Sequence, residues 1–123
     1  MKIGSVHGII MFRDVELCEI WVTDNSVEYR VINPYYPHVP YSLLDGYSKE
    51  AILEWVQDRL PEDNRQNLLE DCARLGIQPI AEEIFTKSSG RVIDSDSWLK
   101  MPDGPQTFEE MIKFTEKNTR VCQ

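Results

Sequence analysis

Residues 8–32, GIIMFRDVELCEIWVTDNSVEYRVI, run as short apolar stretches separated by polar breaks. Val, Ile, Tyr and Trp fill the stretches, side chains that suit a pleated, half-buried surface. Arg13-Asp14 and Thr23-Asp24-Asn25-Ser26 fill the breaks, where short polar side chains bond the local backbone. The pattern predicts three strands in an antiparallel meander. In the third stretch Val27, Tyr29 and Val31 share one face and Glu28 and Arg30 the other, so the sheet should bury one side and wet the other.

The period then changes. Residues 33–47 carry Pro34, Pro37 and Pro40, each lacking a backbone donor, and so cannot be a helix interior. From Ser48, which can cap free N–H groups, to about Leu60, the residues Ala51, Ile52, Trp55 and Val56 recur at helical spacing. Pro61 closes that helix and opens the next, expected from Pro61 to Leu75, with Leu68, Leu69, Cys72 and Leu75 inward and Gly76 as the stop. A third helix is expected over Pro79 to Thr86, with Ile80, Ile84 and Phe85 inward. Thr107 and Glu110 fit a capping box for a last helix whose apolar side is Phe108, Met111 and Ile112.

Strands first and helices afterwards predict an α+β fold, a three-stranded meander followed by three to four helices. No repeat or linker divides the 123 residues, so 1–123 reads as one domain, strand-rich over 8–32 and mainly helical over 48–117. No apolar run approaches the ~20 residues that cross a bilayer, and the start has no signal-peptide pattern. A cytoplasmic location without a membrane partner is expected.

Charge narrows the function. A formal net charge of −8, with no Lys/Arg block, argues against direct nucleic-acid binding, which needs clustered cations on phosphates. Cys18, Cys72 and Cys122 lie far apart with no C-x-x-C pairing, and neither His7 nor His38 has a second soft ligand at zinc spacing. Reduced thiols and no metal or other cofactor are the expectation. His7, in an N-terminal segment that need not be ordered, and His38, between prolines, cannot be matched to a nucleophile by spacing.

Residues 87–111, KSSGRVIDSDSWLKMPDGPQTFEEM, hold the densest candidate chemistry. Asp94 and Asp96 supply too few oxygens for a hard cation, which takes about six or more, and more simply form a turn leading into a strand. KSSGR lacks the spacing of a phosphate-binding loop, and Trp98 is most simply a core anchor.

Two other features point to a partner. Glu50, Glu54 and Asp58 step along one face of the first helix, about 6 Å apart, a spacing comparable in scale to successive phosphates on one strand. Their i+4 neighbours are Glu54, Asp58 and Glu62, so no cation neutralises the stripe. Tyr35, Tyr36 and Tyr41, in the proline loop, either pin that loop to the core or anchor a partner.

At EWVQDRLPEDNRQNLLEDCARLGI, KSSGRVIDSDSWLK and QTFEEM, the chain resembles the accessory region ahead of the kinase domain in some HipA-like kinase proteins, and small free-standing relatives. The similar features are a strand-rich start with a short Arg-Asp turn, a helix join with Arg59, Pro61 and Arg65, the helix end Leu75-Gly76, and Gly90 followed by an Asp-x-x-Trp-like run to Trp98 whose Asp is Asp94 or Asp96. They span residues 10 to 115. The resemblance implies that the Gly-Arg, Asp and Trp positions determine the fold rather than react. Phosphate-binding loop, His-Arg-Asp and Asp-Phe-Gly motifs are absent from this sequence.

The combined expectation is a non-catalytic acidic protein-binding module, a bacterial or mobile-element regulator or inhibitor. It would dock on a protein with a basic surface or groove, a toxin kinase or a defence effector, through Glu50, Glu54, Asp58 and Glu62 or through Tyr35, Tyr36 and Tyr41. One form is an anti-defence inhibitor filling the nucleic-acid groove of an effector nuclease. The alternatives are a small nucleotide-binding enzyme using Lys87, Arg91, Asp94 and Asp96, and a subunit of a homo-oligomer.

Overall fold

A computed structural model of the chain describes residues 1–61, 68–92 and 94–116. Its strands are β1 (Ser5–Phe12), β2 (Val15–Thr23), β3 (Val27–Val31) and β4 (Ser97–Lys100), which form one antiparallel sheet in the order β3-β2-β1-β4. Its helices are α1 (Lys49–Asp58), α2 (Leu68–Leu75), α3 (Ala81–Ser88) and α4 (Phe108–Glu116), with a 3₁₀ turn at Tyr41–Leu43. The fold is α+β.

The meander is there, but it is three quarters of the sheet. β4 adds to the free edge of β1, setting Ile9 opposite Lys100 and Phe12 opposite Ser97. Its four residues are too few to show a period of two, which is why sequence patterning supplies three strands and not four. The N-terminus also differs from expectation. β1 starts at Ser5, and His7 sits inside it opposite Trp21.

Register separates the two faces. Val6, Gly8 and Ile10 stand opposite Val22, Ile20 and Cys18, and that face continues into β3 as Val27, Tyr29 and Val31. Ile52, Trp55 and Val56 of α1 and Phe85 of α3 close over it in one cluster. A bulge between Ile10 and Met11 inserts an extra β2 residue, so the adjacent Leu17 and Cys18 are both buried. Burial also pushes the Cys18 thiol up to about 11. On the other face α4 covers only the β1–β4 half, where Met11, Trp98 and Met111 meet. The β2–β3 half stays open.

Local signals explain the helix ends. Ser48 Oγ accepts from the Ala51 N–H at 3.0 Å, the N-cap expected of it. Thr107 Oγ1 accepts from Glu110 N–H at 3.1 Å, while the Glu110 carboxylate takes the N–H of Gln106 instead of completing a reciprocal box. α3 lies two residues later than expected and ends at Ser89 in the left-handed region, φ 50°. Gly90 follows beneath the Phe85 ring, where a Cβ would come within 2.7 Å. In α2 Leu68 and Cys72 face inward as expected, but Leu69 is 70% exposed, because it falls on the flank of a narrow Leu68–Cys72 stripe. The first part of the helix expected from Pro61, including Glu62, lies outside the described residues.

Gly8 is required by closeness rather than by φ. A Cβ there would stand 2.7 Å from the Lys100 carbonyl oxygen and 2.9 Å from Leu99 Cγ. Gly8→Ala should therefore push β4 off β1 and cost about 1–3 kcal/mol in denaturant unfolding. Gly104→Ala, whose Cβ meets nothing closer than 3.7 Å, should change stability by less than about 0.5 kcal/mol. Equal effects of the two substitutions would refute this account of the β1–β4 joint.

Candidate functional site

Because Ile52, Trp55 and Val56 point α1 into the sheet, the helical period turns Glu50, Glu54 and Asp58 to solvent, and all three are exposed. None of them forms an ion pair with a described cation. The neighbouring Lys49 lies 4.0 Å from Glu28 on β3 instead. The last turn of α1 holds no basic side chain, and Asp58 sits at the negative end of the helix dipole with the charged Arg59 next to it at the C-cap.

The proline loop divides its tyrosines. Tyr36 is partly buried, with its ring 6.2 Å from Phe12 and edge-on to His38 at 5.7 Å, so it pins the loop. Tyr35 and Tyr41 are 92% and 84% exposed, and Leu44 beside them is 61% exposed. The buried Leu43 and Pro40 hold this presenting segment to the core.

Residues 87–111 are largely committed to bonds within the fold. Arg91 Nη1 donates to Thr115 Oγ1 at 2.8 Å, which ties the end of α3 to α4. The Asp96 carboxylate faces Arg13 Nε at 3.3 Å, while its carbonyl accepts the Arg13 N–H at 2.8 Å. Trp98 is fully buried, and its Nε1 donates to the Arg13 carbonyl at 2.7 Å. The Arg13-Asp14 turn then reaches α4, where Asp14 caps the Phe108 N–H at 2.8 Å and Arg13 lies over the Phe108 ring. Lys87 is partly buried and Asp94, at φ 65°, is exposed in the turn before β4.

One charged residue of consequence was missed as such. Arg59, at the C-cap of α1, is only 9% exposed, stacks 4.9 Å over Trp55 and donates to Ser95 Oγ at 3.1 Å and the Ser97 carbonyl at 3.3 Å. Burial lowers its pKa to about 10, which leaves it charged at neutral pH. Its position four residues after Trp55 put it on the apolar stripe, a signal that was available from spacing.

The open half of the sheet carries a polar and aromatic group. His7 stacks on Trp21 at 5.2 Å between ring centroids, and Glu19 sits between His7 Nε2, at 3.1 Å, and Arg30 Nη2, at 2.8 Å. The hydrogen bond from Arg30, and then that from His7, hold the Glu19 carboxyl below its ordinary range.

Two hollows flank these surfaces. One, of about 330 Å³, lies between the start of β1, α3 and the turn at Met101–Gly104. The other, of about 600 Å³, lies between the β2–β3 turn and the start of α1, bordered by Glu50. There Asp24 accepts the N–H groups of Ile3 and Gly4 at 2.7 and 3.1 Å, which fixes the N-terminal segment. Among the described residues no three His, Cys, Asp or Glu side chains converge to hold a metal ion, and no helix is long and apolar enough to cross a membrane.

No family model, no curated protein and no solved structure matches the chain. Its function is therefore argued from its surfaces.

The Glu19 cluster gives a direct titration test. A carboxyl with a depressed folded-state pKa contributes stability that is present above the unfolded value, near 4.5, and lost as pH falls through the folded value. By carbon-detected NMR, Glu19 should titrate below the ordinary glutamate range, and Arg30→Gln should raise its midpoint. An unchanged midpoint in that variant would remove Arg30 as the main cause.

Proposed function

We propose that the chain is a non-catalytic acidic module that acts by docking on a partner protein with a basic surface. The observation that carries this reading is the face of α1, where Glu50, Glu54 and Asp58 are solvent-exposed with no described cation paired to them. Like charges at i, i+4 cost a few tenths of a kcal/mol per pair, roughly, a cost set only against the favourable place of Glu50 in the first turn of α1. A basic partner turns that cost into attraction and steers the encounter. Tyr35 and Tyr41 supply what charge lacks, large rigid rings with a polar tip at the end of a pinned loop. The partner class that fits is a bacterial toxin kinase or a defence effector with a basic groove, in keeping with the resemblance to HipA-associated regions, and the chain would then be a bacterial or mobile-element regulator.

The enzyme reading is less well supported. Of the residues it would use, Arg91 is bonded to Thr115 and Asp96 to Arg13. A reproducible thermal shift with a nucleotide or a divalent ion would revive it.

The test is affinity for the partner captured from the native host, measured over a range of ionic strength. Wild type should bind less tightly as salt rises. The triple variant Glu50→Lys/Glu54→Lys/Asp58→Lys should lose about tenfold or more in affinity together with most of that salt dependence. Unchanged affinity in the triple variant would exclude the α1 face. A loss confined to Tyr35→Ala/Tyr41→Ala would move the contact to the loop.

A further inference from the structure

β1 pairs with β4 only from Ile9, which stands opposite Lys100. Two residues further the same register would set His7 opposite Pro102, and four residues on, Ser5 opposite Gly104. Pro102 has no N–H to donate, so the ladder ends there. The chain turns away instead, with the Gly104 N–H bonded to the Met101 carbonyl at 3.1 Å. Where β4 would have continued lies the hollow of about 330 Å³, walled by Ser5, Val6 and His7 on one side and by Phe85, Glu82 and Asp103 on the other.

Alternation along the strands fixes which backbone groups face it. The Thr23 N–H bonds to the Ser26 carbonyl at 2.9 Å, so odd-numbered β2 residues from Glu19 to Thr23 face β3 and even-numbered ones face β1. Val6, Gly8 and Ile10 are the partners of those even residues, which turns the N–H and C=O of Ser5, His7 and Ile9 to the opposite side. The side chains agree with this assignment: the Ser5 N–H is taken by Glu82 Oε1 at 2.7 Å, and Ile9 lies against β4. His7 turns its backbone donor and acceptor into the hollow, and among the described residues no backbone group there pairs with them.

We propose that this open edge of β1 receives an extended segment of a partner protein as a fifth strand, and that the segment carries Lys or Arg side chains. From Ser5 to His7, about 7 Å at the usual rise per residue, the edge offers the Ser5 carbonyl and both backbone groups of His7, main-chain bonds in the manner of strand addition. Val6 and Phe85 give an apolar inner wall. The charge is set by Glu82 and Asp103, since among the described residues no Lys or Arg lines the hollow, and the nearby Lys100 is committed to Glu16. A second copy of this chain would bring those carboxylates against their own equivalents, so the basic segment is the better match. This surface is distinct from the face of α1, and either can hold without the other.

The probe is a blocked peptide of alternating valine and lysine, titrated into isotope-labelled full-length chain and followed by amide NMR. The expected result is shift changes confined to residues 5–8, 82–86 and 101–104, slowed exchange of the His7 amide, and no binding of a valine–glutamate peptide. Glu82→Gln/Asp103→Asn keeps an acceptor for the Ser5 N–H and should weaken binding about tenfold. Glu50→Lys/Glu54→Lys/Asp58→Lys should leave it unchanged. The proposal is overturned by no binding, by equal binding of the acidic peptide, by shifts that map to α1, or by a His7 amide already protected in a dimer without peptide. Should the double variant fail to fold, the wild-type shift map and the His7 exchange rate decide.

Discussion

The bond on which the arrangement turns is the one between the end of α1 and β4. Trp55 Nε1 donates to Ser97 Oγ at 3.1 Å, and Arg59, stacked on the same indole, donates to the Ser97 carbonyl. A four-residue strand has little pairing of its own to keep it on an edge. These buried donors, with Trp98 bonded to the Arg13 carbonyl from the other face, clamp it from both sides of the sheet. Arg59 is a costly clamp, since its guanidinium gives up water for neutral acceptors. Its removal would leave the Ser97 carbonyl short of a donor and the Trp55 ring uncovered, so both sides of the joint loosen together.

That clamp explains why residues 87–111 read ambiguously as chemistry. Gly-Arg, two aspartates and a tryptophan are what a binding loop would contain, and they are also what joins three elements at one corner. Gly90 fits beneath Phe85, Arg91 holds α4, Asp96 meets Arg13, and Trp98 fills the space under α4. The polar side chains hold strand, turn and helix in register with one another.

Much of the fold was legible because period and caps are local. The meander, the Ser48 cap, the inward set of Ile52, Trp55 and Val56, and the Thr107 start of α4 all follow from neighbours within a few residues. What was hidden is non-local. β4 is visible only once Ile9–Phe12 offer it an edge, and burial of Arg59 depends on Ser95 and Ser97 arriving from far along the chain. Leu69 was misplaced because α2 buries a narrow stripe, which its composition does not reveal. For the candidate surfaces, the exposure of Glu50, Glu54 and Asp58 was readable from the helical period. The division of the tyrosines was not, since it rests on Phe12 and His38 meeting Tyr36. The open edge beside His7 required the register itself.

Cys18 lies beneath the sheet, fully covered, with Sγ 3.6 Å from the Glu19 carbonyl oxygen and its thiol held protonated far above neutral pH. Alkylating and oxidising reagents attack thiolates, so in the closed molecule this sulfur is chemically silent. It becomes reactive only when α1 lifts from the sheet or the strands part. The protein thus carries an internal reporter of its openings, placed at the bulge between β1 and β2.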